Sequence, residues 1–314
     1  MHNDLVAVCS RSFSKNHILR TELQTKYKNI KFNDEGLELK GVDLIKFLTG
    51  YDKAIVALEK IDEQILESLP NLKVISKYGV GLDMIDFSAL KKYNIKLGWE
   101  GGVNKRSVAE LALAFTLTML RNLPECNSYI KSGGFKQIVG EQLTGKSFGI
   151  IGCGNVGKEL VNLLKPFDVK LYVFDKIFNE EYNLQNSIQF VNLDELLSKS
   201  DVISLHIPLD DSTKNILNQE KLSLLKKNAI IINTARGGLV DEQELKNILI
   251  NKKIAGAAFD VFSSEPSVDL DLLELPNFFG TPHIGGSTVE SILAMGRSAI
   301  NGLEINYFVE NLEI

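Results

Sequence analysis

The chain has 314 residues, of which 44% are hydrophobic and 24% charged, and its formal net charge at pH 7 is −5. This composition is that of a globular protein, and at about 100–200 residues per domain the length predicts two domains. No excess of basic residues is present to attract nucleic acid or an anionic membrane, so we expect neither as a partner.

The cysteines and the N-terminal residues bear on location. The chain has three cysteines, Cys9, Cys126 and Cys153, and none of them forms a C-x-x-C pair. The odd number and the wide spacing argue against a disulfide framework or a zinc site. The chain starts with MHND and shows no signal-peptide pattern. Its most hydrophobic helical stretch, residues 108–120, is shorter than the about 20 apolar residues that a membrane span needs. We therefore expect a cytoplasmic protein without a metal site.

Short apolar runs alternate with amphipathic segments from the start of the chain. In the first hundred residues the pattern predicts strands over 5–9, 54–58 and 72–76, and helices over 36–48 and 62–69. Nearly continuous apolar strands separated by helices are typical of a parallel sheet that is covered on both faces.

The same alternation starts again after Gly145. A long helix over 104–121 is predicted to lead from the first α/β unit to the second, and an amphipathic helix over 286–308 ends the chain with no strand after it. The fold class is therefore α/β, with two doubly wound parallel-sheet domains. The predicted strands of the second unit are 147–151, 170–174, 202–205, 229–232 and 254–259, and its helices are 155–164, 193–198 and 242–250.

The sequence GCGNVG at 152–157 follows a predicted strand and begins a predicted helix, and it fits the pattern G-x-G-x-x-G. Gly152 permits a tight turn, Gly154 lets a pyrophosphate approach the backbone, and Gly157 lets helix and strand pack closely. The helix N-terminus offers N–H groups to phosphates. Asp175, 18 residues after Gly157, ends the next strand. There its carboxylate would accept hydrogen bonds from the ribose hydroxyls and repel a 2′-phosphate. The motif predicts NAD, and the adjacent Lys176 leaves weak use of NADP open.

Three further segments carry side chains suited to reducing a 2-oxo acid. INTARGG at 232–238 contains Arg236, FDVFSSEP at 259–266 contains Glu265, and TPHIGG at 281–286 contains His283. The reaction requires a cation that grips the carboxylate and polarises the carbonyl, a general acid, and a partner that keeps this acid charged. Each segment ends or follows a strand, and ligands bind at the carboxyl ends of strands in doubly wound sheets.

Together with the glycine motif, these segments resemble the signature blocks of the D-isomer-specific 2-hydroxyacid dehydrogenase family, which includes D-3-phosphoglycerate, D-lactate, glycerate and formate dehydrogenases. KYGVGLD at 77–83, VNKRSVAEL at 103–111 and HIPL at 206–209 agree with it as well, so the resemblance covers nearly the whole chain. It implies a Rossmann NAD-binding domain over 104–284, inserted into a flavodoxin-like substrate domain made of 1–103 and the returning helix in 285–314.

The resemblance also implies roles for individual residues. Arg236 would bind the substrate carboxylate and carbonyl, His283 would be the acid and base, and Glu265 would hold His283 in its charged form. Backbone N–H groups around Val80 and Gly81 would bind the substrate carboxylate. The implied cofactor-binding residues are Gly152, Gly154, Asn155, Val156, Gly157, Asp175, His206, Pro208, Thr213, Thr234 and Asp260.

Features near the predicted carboxylate loop bear on the substrate. Arg11 follows the first predicted strand and Lys77 directly precedes the loop, so we expect them to meet a second anionic or polar group of the substrate. Roles in surface or packing remain open for both, as they do for Trp99. Phosphohydroxypyruvate is the first candidate, although the acids of EKIDE at 59–63 weaken the case for a phosphate-selective pocket. Met84 stands where many family members have Asn.

The sequence thus predicts an NAD-dependent D-2-hydroxyacid dehydrogenase that acts on a CH–OH group and resembles phosphoglycerate dehydrogenases without their C-terminal regulatory domain. A homodimer formed largely by helix 104–121 is expected, because this helix is apolar around more than one face. A non-catalytic NAD-sensing protein, like the family's corepressors, stays open, since such proteins can keep the same three side chains. A scaffold that binds no NAD is a further alternative, and turnover of a 2-oxo acid with NADH would exclude both.

Overall fold

The computed structural model describes residues 2–312, which form two compact units. The first unit consists of the chain up to Asn104 together with the chain from Thr288 onward, and the second unit is Lys105–Ser287. The polypeptide therefore leaves the first unit once and returns to it for its last helix.

Strands and helices alternate throughout both units. The strands are β1 (His2–Val8), β2 (Tyr27–Phe32), β3 (Lys53–Val56), β4 (Val74–Lys77), β5 (Lys96–Gly98), β6 (Ser147–Ile151), β7 (Lys170–Phe174), β8 (Ile188–Phe190), β9 (Val202–Leu205), β10 (Ile230–Asn233), β11 (Gly256–Phe259) and β12 (Phe278–Gly280). The α-helices are α1 (Arg11–Lys15), α2 (His17–Lys26), α3 (Gly41–Leu48), α4 (Glu63–Glu67), α5 (Phe87–Lys92), α6 (Lys105–Leu120), α7 (Leu123–Lys131), α8 (Asn155–Leu164), α9 (Glu180–Gln185), α10 (Leu193–Lys199), α11 (Gln219–Leu222), α12 (Glu242–Ile250), α13 (Leu270–Leu273) and α14 (Val289–Gly302).

The first unit contains a parallel five-stranded sheet in the order β2-β1-β3-β4-β5. The strand order reverses next to β1, and doubly wound sheets bind ligands at the carboxyl ends of the strands that flank such a reversal. The central strands are short and apolar, and side chains such as Ala7, Ile55 and Ile75 are fully buried, as expected for a parallel sheet covered on both faces. Helix α14 packs against β4 and β5 and completes this unit.

The second unit contains a parallel seven-stranded sheet in the order β12-β11-β10-β9-β6-β7-β8. The order reverses between β6 and β9, so the carboxyl end of β6 lies at the ligand-binding position of this sheet. Phe148 and Ile150 belong to one buried cluster, together with residues of α6 and α8, whereas Ile203 and Ile231 belong to another. The two clusters show that the sheet is covered on both faces.

The predicted fold class is confirmed, and the predicted bounds agree best in the second unit, where β6, β7, β9, α8 and α12 have the expected residues. The last helix is shorter than predicted: α14 ends at Gly302, and Tyr307 forms an isolated antiparallel bridge with Leu97. Strand β2 was missed because it lies at the sheet edge, is only partly buried, and mixes polar with apolar residues. Within residues 2–312, no helix has the length and apolar character of a membrane span.

Candidate active site

The loop between β6 and α8 has the geometry of a phosphate-binding turn. Gly152 has φ +96°, and a Cβ at this position would lie 2.6 Å from the carbonyl oxygen of His206. A Cβ on Gly157 would overlap the carbonyl oxygen of Gly152, whereas a Cβ on Gly154 would meet nothing within 4 Å. Gly154 has no side chain to cap α8, so the first N–H groups of the helix are left for a ligand. Asn155 and Val156 form this first turn.

Asp175 connects this loop to the next strand. It follows β7, and its carboxylate accepts the backbone N–H of Cys153 at 2.5 Å and that of Ile177 at 2.9 Å. Asp175, Cys153 and Gly154 line a cleft of about 210 Å³ together with residues of α9. Burial, reinforced by the charge of Asp175, raises the pKa of the Cys153 thiol to about 11. The thiol is therefore protonated at neutral pH, which agrees with a packing role rather than a redox role.

The predicted cofactor residues after β9 and β10 lie at the same edge of the sheet. His206 follows β9, its Nε2 lies 2.8 Å from Ser204 Oγ, and burial lowers its pKa to about 3, so the imidazole is neutral. Thr213 Oγ1 donates to the Pro208 carbonyl oxygen at 2.8 Å, which shapes the loop after β9. Thr234 follows β10, and its buried Oγ1 has no hydrogen-bond partner among the described residues.

These features fit a bound dinucleotide. The space above Gly154 and the uncapped N-terminus of α8 suit a pyrophosphate, which needs close backbone approach and N–H donors. A buried hydroxyl without a partner is costly, so the orphan Thr234 hydroxyl is suited to a ligand that brings a polar group to it.

Arg236 lies in a turn that its neighbours hold in place. Asn233, fully buried at the end of β10, donates through Nδ2 to the Arg236 carbonyl oxygen at 2.8 Å and accepts the Ala235 N–H through Oδ1 at 3.1 Å. A Cβ on Gly237 would overlap the backbone of Phe262, so this turn packs tightly on the segment after β11. The sequence reasoning did not identify Asn233, although a buried polar residue that ends an apolar strand is a usable signal.

His283 and Glu265 form a direct pair. His283 Nδ1 lies 3.0 Å from Glu265 Oε2, and Glu265 Oε1 accepts the Phe262 N–H at 2.9 Å. An ionised carboxylate can only accept, so Nδ1 carries the proton, and Nε2 of the half-exposed ring remains for a ligand. His283 also has φ +54°, a conformation that non-glycine residues rarely adopt without support from their surroundings.

Asp260 provides much of this support. Its carboxylate accepts hydrogen bonds from Thr281 Oγ1 and from the backbone N–H groups of Ile284 and Gly285, at 2.5 to 2.7 Å. Its carbonyl oxygen accepts the N–H of His283 at 2.9 Å. The sequence reasoning placed Asp260 beside the cofactor, and the structure shows its carboxylate committed to the turn that carries His283. Thr281, a partner in this turn, was not singled out from the sequence.

In the first unit, the loop that contains Val80 and Gly81 follows β4. The Met84 carbonyl oxygen accepts the Ile61 N–H at 2.8 Å, and the Ile61 carbonyl oxygen accepts the Asp86 N–H at 2.9 Å. Backbone bonds thus hold the end of this loop, and the exposed Met84 side chain is not needed for it.

The two predicted cations of this unit differ in environment. Lys77 is 5% exposed, and its Nζ donates to the Tyr78 carbonyl oxygen at 3.2 Å, under the loop. Arg11 is exposed at the start of α1, two residues before Phe13, whose ring packs edge-on against Tyr78 with centroids 5.7 Å apart. The Phe13–Tyr78 contact therefore brings the segment that contains Arg11 together with the start of the loop after Lys77, at one edge of the sheet.

The second unit is a dinucleotide-binding fold with a histidine–carboxylate pair and an arginine at the cofactor edge of its sheet, which is the arrangement of a nicotinamide-dependent oxidoreductase. Residues 113–285 match the family model described as the NAD binding domain of D-isomer specific 2-hydroxyacid dehydrogenases. The chain belongs to the D-isomer specific 2-hydroxyacid dehydrogenase family.

Individual relatives agree with this assignment. The chain is 36% identical over 282 residues to a hydroxypyruvate reductase of Thermotoga maritima, a match that covers 88% of this chain and 90% of that protein. It is 39% identical over 240 residues to a D-3-phosphoglycerate dehydrogenase of Methanocaldococcus jannaschii, which covers 76% of this chain but 46% of the relative. A D-lactate dehydrogenase of Aquifex aeolicus, solved with NAD and lactic acid, superimposes with a TM-score of 0.81 at 27% identity, covering 95% and 93% of the two chains.

The predictions of family, enzyme class and cofactor are thereby confirmed. The chain is an NAD-dependent dehydrogenase that acts on the CH–OH group of a 2-hydroxy acid.

Proposed function

We propose that the chain reduces a short 2-oxo acid with a polar or anionic group on C3, hydroxypyruvate or its phosphorylated form, to the D-2-hydroxy acid. The observation that carries the reaction is the His283–Glu265 pair on a turn held by Asp260, with the Arg236 turn packed on the same segment. The match to a hydroxypyruvate reductase over 90% of its length supports a C3 hydroxyl or a related group.

In this proposal His283 is the general acid. When bound, NADH supplies a hydride, with its two electrons, to the carbonyl carbon. Arg236 polarises the carbonyl and stabilises the negative charge that develops on its oxygen. His283 Nε2 transfers its proton to this oxygen, while the Nδ1–H of the ring stays hydrogen-bonded to Glu265. Before the transfer, the Glu265 carboxylate stabilises the imidazolium. Oxidation of the hydroxy acid returns the proton to the same nitrogen.

Asp260 and Glu265 act through His283 here. Asp260 fixes the turn and Glu265 fixes the ring, so the proton donor needs little reorganisation.

We assign the cofactor contacts to the second unit. The N–H groups of Asn155 and Val156 bind the pyrophosphate above Gly154, where the structure leaves room. Asp175 accepts the adenine ribose hydroxyls. His206, neutral, and Pro208 form an uncharged wall of the adenosine site, and the Thr234 hydroxyl bonds to the nicotinamide end.

The substrate contacts of the first unit follow from its loop after β4. The N–H groups of Val80 and Gly81 bind the carboxylate, and Arg11 meets the C3 group because it is exposed at the same sheet edge. Lys77 supports the loop from below through Tyr78. This unit is accordingly the substrate domain, and the second unit is the NAD-binding domain.

A panel of 2-oxo acids with NADH tests the proposal, read as loss of NADH absorbance. It contains hydroxypyruvate, phosphohydroxypyruvate, glyoxylate, pyruvate, 2-oxoglutarate and a long-chain alkyl 2-oxo acid. We expect the highest kcat/KM for one of the first two compounds. Preference for the alkyl compound would overturn the substrate assignment, and absence of turnover for every compound would overturn the function.

We also propose that the chain is a homodimer. Leu111 and Leu117 of α6 are only partly buried and Ala114 is exposed, although the opposite face of this helix is buried in its own unit. Helix α7 buries none of its residues, and Phe135 and Val139, which follow it, are each more than 90% exposed. An apolar surface of this kind suits a second copy of the chain. Light scattering at micromolar concentration is expected to give twice the chain mass, and a monomer would refute the dimer.

A cytoplasmic location belongs to the same proposal. Cys9, Cys126 and Cys153 are all free thiols, as a reducing compartment would keep them. Fractionation of the cells that express the protein is the direct test, and recovery from an oxidising compartment would contradict it.

A further inference from the structure

Trp99, the sole tryptophan of the chain, contacts the loop after β4 through one hydrogen bond. It directly follows β5, and its indole Nε1–H donates to the carbonyl oxygen of Val80 at 2.9 Å. The ring is partly buried against a hydrophobic cluster of the first unit that includes Leu90 and Leu97. This contact between a half-buried ring and a loop carbonyl 19 residues earlier is specific, because the indole Nε1–H is the only polar group of the tryptophan side chain.

The backbone that carries Trp99 is held on several sides. Strand β5 pairs with β4, and Leu97 exchanges backbone hydrogen bonds with Tyr307 on its other side. Gly98 packs so closely on Gly302 of α14 that a Cβ would overlap the Gly302 backbone. Because β5 is fixed by three elements, the indole is a firm point of attachment for the loop.

Glycine makes the backbone of the loop near Val80 adaptable. Gly79 has φ +113°, and Gly81 follows Val80, so glycine flanks this residue on both sides. Glycine permits many backbone orientations, and the Val80–Gly81 peptide can rotate unless a partner holds it. In a planar trans peptide the C=O and N–H point in opposite directions, so a bond that fixes the Val80 carbonyl also fixes the direction of the Gly81 N–H.

We propose that Trp99 is a positioning residue that holds the Val80–Gly81 peptide with its Gly81 N–H directed toward the substrate carboxylate. This inference rests on the proposed function, in which that N–H binds the carboxylate. It also gives the loop a support from β5, in addition to the backbone bonds of Ile61 at its other end.

The test compares Trp99→Phe, which keeps an aromatic ring but removes the donor, with Tyr93→Phe. Tyr93 packs on the same hydrophobic cluster and loses a polar hydrogen in the same way, but it lies outside the loop. The first measurement is hydrogen–deuterium exchange of peptides that cover residues 78–86. We expect faster exchange in Trp99→Phe and wild-type exchange in Tyr93→Phe.

The second measurement is steady-state kinetics with the best 2-oxo acid, together with inhibition by oxamate, a carboxylate analogue of the substrate. One net hydrogen bond corresponds to a factor of about 2 to 12 in an equilibrium constant. We expect Trp99→Phe to raise KM and the oxamate Ki by about this factor, with kcat and the NADH Kd nearly unchanged. A merely structural role would lower the melting temperature and leave these constants unaltered.

The outcomes separate the two claims. Unchanged exchange in Trp99→Phe would show that the bond does not hold the loop, and faster exchange with unchanged KM and Ki would show that the held peptide does not serve the substrate. Either result overturns the inference. If the wild-type chain reduces no 2-oxo acid, the proposed function fails. The exchange measurement then still decides whether Trp99 holds the loop, and oxamate binding by calorimetry decides whether the held loop binds a carboxylate.

Discussion

The Nδ1 atom of His283 lies 3.0 Å from Oε2 of Glu265, and the other oxygen of that carboxylate accepts the N–H of Phe262. The carboxylate is therefore anchored to the backbone and in turn orients the imidazole. This relationship determines which ring nitrogen carries the structural proton and which one exchanges protons with a substrate.

Replacement of His283 by alanine is expected to lower kcat for 2-oxo acid reduction by about 10²- to 10⁴-fold, because the general acid is lost. NADH affinity should stay within a few-fold of wild type. Stopped-flow turnover and NADH fluorescence titration measure the two quantities. His17→Ala is the matched control, since His17 is exposed at the start of α2. Activity of His283→Ala close to that of the control would refute the assignment.

Two glycines of the nucleotide loop should respond differently to alanine. A Cβ on Gly154 meets nothing within 4 Å, so Gly154→Ala should keep the wild-type melting temperature. It should raise the NADH Kd by about tenfold or more, because the methyl group takes the space of the pyrophosphate. A Cβ on Gly157 overlaps the Gly152 carbonyl oxygen, so Gly157→Ala should lower stability by about 1–3 kcal/mol. Calorimetric melting and NADH titration of both variants check this, and tight NADH binding by Gly154→Ala would contradict it.

The Asp175 carboxylate is expected to set the preference for NAD. In Asp175→Ser, the ratio of kcat/KM for NADH over that for NADPH should fall by about tenfold or more, since a charge-assisted hydrogen bond is lost and repulsion of the 2′-phosphate ends. The ratio is the informative quantity, because Asp175 also holds the Cys153 N–H and its loss affects both cofactors. Asp194→Ser, at an exposed ion pair with Lys221, is the control. An unaltered ratio would place cofactor selectivity elsewhere.

Arg11 should discriminate between substrates by the charge of their C3 group. Arg11→Gln is expected to raise KM for phosphohydroxypyruvate by about tenfold while changing KM for pyruvate little, because a charge-assisted bond to phosphate is lost. Lys15→Gln, at the other end of α1, is the control: it removes the same charge from a side chain that lies against Gly36. Measuring KM for phosphohydroxypyruvate and for pyruvate in Lys77→Met tests whether Lys77, the second predicted cation, also contacts the C3 group. Equal effects of Arg11→Gln on both substrates would show that Arg11 does not contact the C3 group.

His206 should make the folded state sensitive to acid. Its pKa is lowered by burial to about 3, whereas the unfolded chain has the ordinary histidine value of about 6.5. Between these values only the unfolded state binds the proton, so the stability that depends on neutral His206 falls as the pH falls.

The free energy of unfolding of the wild type should therefore decrease relative to His206→Asn by about 1.4 kcal/mol per pH unit from about pH 6 to pH 4. Urea unfolding at several pH values measures this slope. Ser204→Ala keeps the imidazole and should keep the wild-type slope. Parallel curves for wild type and His206→Asn would mean that His206 is protonated in the folded protein.

The sequence by itself determined the fold class and the cofactor motif because both depend on short-range patterns. Continuous apolar runs such as FGII in β6, alternating with helical segments, are typical of strands buried on both faces of a covered parallel sheet, and the bounds of β6 followed from the sequence. The spacing of Gly152, Gly154 and Gly157 between a strand and a helix is likewise a local constraint. The class of enzyme followed from several ordered blocks, and the comparisons confirm it.

Only the tertiary structure decided which polar groups hold the functional ones. Asp260 and Thr281 are 21 residues apart and meet because β11 and β12 are neighbours in the sheet. Trp99 reaches Val80 because β5 lies next to β4, and no sequence periodicity records that distance. Strand β2 and the end of α14 were misjudged for the same reason: partial burial at a sheet edge and the bridge from Tyr307 to Leu97 depend on residues remote in sequence. Propensity describes a segment, whereas hydrogen-bond partners depend on which segments become neighbours when the chain folds.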